Sequence, residues 1–211
     1  MNKVKILIVA SVLALLTFES KAQDGAYDKG TTVITAGYGI PEIYRLGLRA
    51  VYSGYNSVSV RGFGPILLKG DYGIMKFNWG HKVGAGIVLG YSGTSVTYSY
   101  YETNSYAYNA LYTEKNKYNT FLLGARGTYH YFTTDKLDCY ASIGLGFNIN
   151  TYSYTTNNPR GAAYRTASNR SFLYNSFTAG IRYYFTPNIG VYAEAGWDAS
   201  APLQGGLAVK F

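Results

Sequence analysis

Several segments of this chain, each about ten residues long, alternate strictly between two kinds of side chain, and that limits the fold more than any other feature. From Phe121 to Tyr131 one face reads Phe121, Leu123, Ala125, Gly127, Tyr129, Tyr131, and the other Leu122, Gly124, Arg126, Thr128, His130. From Ala141 to Ile149, the apolar set Ala141, Ile143, Leu145, Phe147, Ile149 opposes Ser142, Gly144, Gly146, Asn148. Successive strand side chains point to opposite faces. One face therefore suits hydrocarbon and the other a polar interior, the reverse of a soluble barrel.

The same pattern predicts strands near Thr31–Tyr38, Pro65–Met75, Val83–Tyr98, Tyr118–Tyr131, Asp138–Tyr152, Phe172–Phe185, Ile189–Asp198 and Gly205–Phe211. The expected fold is all-β: a closed, eight-stranded, antiparallel up-and-down transmembrane β-barrel. Connections at 76–82, 132–137 and 186–188 are short, whereas 39–64, 99–117 and 155–171 are long. Short turns on one side and long loops on the other imply a periplasmic and an extracellular end, with both termini periplasmic. Tyr72, Trp79, Tyr131, Tyr140, Tyr183, Phe185 and Phe211 are expected at the short-turn interface, and Tyr38, Tyr91, Phe177 and Trp197 at the other, because amphipathic rings favour head-group depth.

Lys3 and Lys5 precede an apolar run from Ile6 to Phe18, and Ser20-Lys21-Ala22 forms a small-x-small site. This reads as a cleaved signal peptide over residues 1–22, too short for a spanning helix, followed by a single barrel domain over 23–211. Removing its three lysines and one glutamate takes the formal charge from +8 to +6, a balance compatible with anionic lipid head groups. Cys139 is the single cysteine, so no intramolecular disulfide exists, and it reads as a small apolar residue.

On these features the chain resembles the small OmpA/OmpX-type outer-membrane β-barrels of Gram-negative bacteria. They are the signal peptide, the alternating segments, the glycine-rich strand Gly84-Ala85-Gly86-Ile87-Val88-Leu89-Gly90 and the terminal Leu207-Ala208-Val209-Lys210-Phe211. The resemblance implies that Leu207, Val209 and Phe211 form the signal read by the barrel-assembly machinery. It also implies residence in the bacterial outer membrane among lipopolysaccharide, with no appended peptidoglycan-binding domain.

Alternation places Lys69, Asp71, Arg126, His130, Arg182, Glu194, Asp198 and Lys210 inward. A lipid-facing Arg or Lys at mid-depth costs roughly 2 to 4 kcal/mol, and an eight-stranded lumen is just wide enough to be filled by side chains. An ionic core linking Arg126 and Arg182 to Glu194 and Asp71 is therefore expected to plug the barrel. Glu194 and Asp198 share a strand face at a spacing of roughly 13 Å, too wide for a glycosidase carboxylate pair. His130 and His81 lack nearby Ser and acidic partners in sequence. The glycines of 84–90 alternate without a following helix, unlike a dinucleotide-binding loop. No catalytic, metal-binding or cofactor residue is expected.

The long loops are the remaining place for function. Tyr100, Tyr106 and Tyr108 among Ser and Asn, and Arg160, Arg165 and Arg170, suit recognition of a ligand or lipid phosphates; alternatively they are strand extensions above the membrane. Pro41 opens a short amphipathic helix with Ile43, Leu46, Ala50 and Val51 on one side, suited to the outer leaflet, although Gly47 weakens it. The expected function is non-enzymatic: membrane integrity or surface interaction. A small pore and a lipid-modifying enzyme are the alternatives, with a secreted soluble β-protein a more distant one. Nucleic acid is not an expected partner.

Overall fold

The computed structural model describes residues 25–55, 57–103, 109–159, 168–199 and 201–211. Eight antiparallel strands follow one another around a ring: β1 Thr32–Ile40, β2 Ser57–Lys76, β3 Lys82–Thr103, β4 Asn109–Thr133, β5 Leu137–Thr156, β6 Ser168–Tyr184, β7 Ile189–Asp198 and β8 Ala201–Lys210. Each pairs with its sequence neighbours, and β1 also pairs with β8, so no edge is left at the seam.

The register fixes the geometry of the ring. Stepping forward from Tyr38 through Ile66, Tyr91, Phe121 and Ile149 reaches Ser171, while stepping backward through Gly205 and Ala193 reaches Ile181. The two arrivals on β6 are ten residues apart, 181 against 171. A stagger of that size across eight strands requires a strand tilt of about 40°.

The strands differ in height. β1, β7 and β8 have 9, 10 and 10 residues, whereas β3, β4 and β5 have 22, 25 and 20. Much of what reads as long loop at 39–64 and 99–117 is therefore strand, because Tyr, Thr, Ser and Val continue the alternation and suit a pleated ladder. Among the irregularities in the ladders are one in β2–β3 between Phe63 and Ile66 and one in β7–β8 between Ala195 and Asp198. Each contains a glycine at positive φ, Gly64 at 94° and Gly196 at 144°, a backbone region that side chains with a Cβ rarely enter.

The outward face is apolar: Leu123, Ile143, Leu145, Phe147, Leu173 and Leu207 are exposed, as are Tyr72, Trp79, Tyr131, Tyr183 and Phe185 at the short-turn end. Tyr140, expected in that aromatic band, is instead fully buried inside. It lies on the same strand face as Asp138 and Ser142, both buried, so alternation itself turns it inward. Among the described residues no helix is long and apolar enough to cross a membrane.

Between β1 and β2 lies a helix, α1 (Ile43–Val51). Tyr44 packs edge-on against Tyr118 with ring centroids 5.7 Å apart, and Tyr52, just past the helix, accepts a hydrogen bond from Asn116 at 3.2 Å. The helix thus lies across the barrel mouth. Ile43, Leu46 and Val51 are exposed.

Candidate functional site

The lower lumen holds a connected network of buried charges. The Lys69 ammonium donates to Glu194, to Asp198 at 2.6 Å and to the Gln204 side-chain carbonyl at 2.7 Å. Arg126 donates to Glu194 at 3.0 Å, and the Tyr140 hydroxyl donates to the same carboxylate at 2.7 Å. Arg182 spans Asp71 at 2.8 Å and Asp138 at 3.2 Å, with the Tyr140 ring 4.2 Å from its guanidinium carbon. His130 contacts Asp138 at 2.7 Å and Thr128 at 3.0 Å, and Thr128 donates to Asp71 at 2.8 Å. Tyr174 donates to Asp198. Glycine makes room for this set: a Cβ at Gly84 would meet the Tyr27 hydroxyl, and one at Gly180 the Tyr140 ring.

Apolar layers close the network at both ends. Toward the short turns, the segment before β1 folds inside, where Ala26, Tyr27, Val33, Tyr184, Tyr192 and Ala208 cluster. Tyr27 stacks on His130 at 3.6 Å between centroids and donates to Asp71 at 3.4 Å. Lys210 anchors the segment by donating to the Gly25 carbonyl at 2.7 Å. Toward the mouth, Leu67, Val88, Leu122 and Tyr174 meet across the lumen, with Ala199 against them.

The structure thus brings together Lys69, Asp71, Arg126, His130, Arg182, Glu194 and Asp198. Two sequence-based expectations change. Glu194 and Asp198 bond one ammonium, so their carboxylates lie far closer than their backbone spacing suggests, because the two side chains converge on Lys69. His130 does have a hydroxyl and a carboxylate at hand, Thr128 and Asp138. All three are buried and Tyr27 covers the ring, so a substrate has no route to that hydroxyl. The ionic core expected from sequence does not include Asp138, Tyr27, Tyr140, Tyr174, Thr128 or Gln204, of which Thr128 is read only as part of a polar face and Tyr140 as an interface aromatic. The parity of β4 to β8 carries a signal for most of them, whereas nothing in the irregular segment at 25–31 does so for Tyr27.

Of the residues proposed for loop recognition, Tyr100 lies on β3 and donates to Glu114 at 3.0 Å, and Arg170 lies on β6. Tyr106, Tyr108, Arg160 and Arg165 fall outside the described residues. Leu207 and Val209 lie on β8, and Phe211 bonds the backbone of Thr32 at 2.8 Å. No cluster of three or more metal-ligating side chains occurs among the described residues.

Above the upper apolar layer, the mouth is a cavity of about 680 Å³ whose lining includes Tyr118, Thr120, Leu122, Asn148, Asn150, Tyr152, Ser168, Arg170 and Phe172, with Glu42 and Tyr44 beside the helix. Glu42 accepts from Arg45 at 2.7 Å; burial raises its carboxyl above the ordinary range, and the Arg45 guanidinium opposes that rise. Tyr118 and Tyr152 stand 5.1 Å apart, so with Tyr44 they form a continuous aromatic wall.

The sequence profile of the outer membrane protein beta-barrel domain family matches residues 10–197. Among solved structures, the chain is similar to Ail, the attachment invasion locus protein of Yersinia pestis, in complex with the heparin analogue sucrose octasulfate. That match has 15% identity and a TM-score of 0.43, covering 87% of this chain and 99% of that one. It is also similar to the N-terminal β-barrel domain of Pseudomonas aeruginosa OprF, at 18% identity and a TM-score of 0.38, covering 89% and 98%. No curated protein matches the chain.

Proposed function

We propose, from the premise that this chain belongs to the outer membrane protein beta-barrel domain family, that it is a non-enzymatic outer-membrane barrel with a plugged lumen, serving membrane integrity or surface interaction through its tall end. The carrying observation is the ionic network between two apolar layers. Three cationic side chains, Lys69, Arg126 and Arg182, face four carboxylates, Asp71, Asp138, Glu194 and Asp198, with His130 among them. Buried charges that pair and share hydrogen bonds are costly to separate, which supports a filled lumen.

In this reading residues 1–22 are removed on export, residues 23–211 form the barrel, the short turns and both termini are periplasmic, and the tall strands are extracellular. Arg61 pairs in register with Ser95, and Ser95 with Lys117, on the outward face above Phe63 and Phe121, a position suited to lipopolysaccharide phosphates. Leu207, Val209 and Phe211 are assigned to recognition by the assembly machinery. Nucleic acid is not a partner in this reading.

Planar-bilayer recording of the purified protein tests the plug. No discrete conductance steps are expected. Stepwise currents whose ion selectivity changes in Arg126→Gln would replace the plugged reading with a pore.

A further inference from the structure

We propose that the mouth cavity is a binding site for an uncharged linear oligosaccharide. This deepens the surface-interaction reading and rests on it.

The strand register sets out the cavity wall as a grid. Tyr118, Tyr152 and Ser168 form an upper row, Thr120, Asn150 and Arg170 a middle row, and Leu122, Asn148 and Phe172 a lower row across β4, β5 and β6. Neighbouring columns are about 4.8 Å apart and rows about 6.7 Å apart, so the polar middle row runs between two rows that contain aromatic rings. A pyranose has this duality: its C–H face packs on the negative face of an aromatic ring, while its equatorial hydroxyls both donate and accept at the edge.

The free hydrogen-bonding capacity matches hydroxyls. Among the described residues the Asn148 side chain has no hydrogen-bond partner, and Asn150 accepts from Thr120 at 2.7 Å with its two N–H donors unspent. An amide donates and accepts side by side, as a vicinal diol does. A volume of about 680 Å³ lies within the roughly 300–1,000 Å³ of small-molecule sites, and the Leu122 floor stops a chain from threading further.

Charge in the lining is sparse, and its carboxylate is already paired with Arg45. The lining contains one guanidinium, Arg170, and one carboxylate, Glu42. The unmatched cations Arg61, Lys115 and Lys117 alternate onto the opposite, outward face.

The test is saturation-transfer NMR of the full chain, refolded in lauryldimethylamine oxide micelles, with neutral trisaccharides of glucose, galactose or N-acetylglucosamine and with a trisaccharide of hexuronic acid. At least one neutral trisaccharide should take up saturation more strongly than the acidic one. The double variant Asn148→Ala, Asn150→Ala should lower its affinity at least tenfold while keeping the heat-dependent gel shift of the folded barrel. No transfer to any neutral sugar, stronger transfer to the acidic one, or binding that survives the double variant would overturn the site. Conductance of the same preparation reads the lumen independently: a conducting barrel that binds sugar overturns the plug alone, and a silent barrel that binds none overturns the site alone.

Discussion

Glu194 receives three donors from three strands: Lys69 on β2, Arg126 on β4 and Tyr140 on β5. Truncating it leaves two buried cations short of a counter-charge, a loss typically worth about 3 to 5 kcal/mol. Glu194→Ala should therefore unfold markedly faster in urea than the wild type when followed by gel migration, with Glu194→Gln between the two. An unchanged rate in both would remove Glu194 from the structural core. Alternation revealed which of these residues point inward, but not which touch. Lys69 and Glu194 are 125 residues apart, and their meeting depends on the ring's diameter and stagger, which no local pattern encodes. Tyr27 was invisible for a different reason: it precedes the first strand, and its burial follows from a shape that exists only once the ring is complete.

At the scale of elements, α1 is held by a carboxyl that burial has made less acidic. Because the docked state raises the Glu42 value above its undocked one, docking binds more protons than release. It is strongest below the ordinary carboxyl value and weakens as pH rises through the raised one. Amide exchange across 43–51, corrected for intrinsic rate, should be slower relative to that rate at pH 4 than at pH 7. Glu42→Gln should lose the difference. The helix itself was legible from Pro41 and the spacing of Ile43, Leu46, Ala50 and Val51, but its seat was not. Its contacts come from Tyr44 and Arg45, residues outside that set, and from Tyr52 beyond its end. Strand number and facing were likewise readable, and β7 has the expected bounds of Ile189–Asp198. Upper strand ends were not, since alternation by Tyr, Thr and Ser looks the same in a polar loop as in a wall standing in water.

For the whole molecule, a ring without edges unfolds only by breaking a ladder along its length. The detergent-extracted protein should migrate differently in gels before and after boiling, and should remain with membranes through an alkaline wash. A single migration position and release by alkali would argue for a secreted soluble fold. The expectation of eight alternating strands was legible because the lipid-facing row imposes one rule on every strand, whereas the filling of the lumen is a joint solution that no strand carries alone.

The unequal strands have a consequence for neighbours. β3, β4 and β5 stand well above β7, β8 and β1, so the molecule seen from its tall end has a high back and a low front rather than circular symmetry. In a crowded bilayer an adjacent protein can lean over the front but abuts a wall at the back, and any pairing of copies is thereby given a compass direction before a single contact is made.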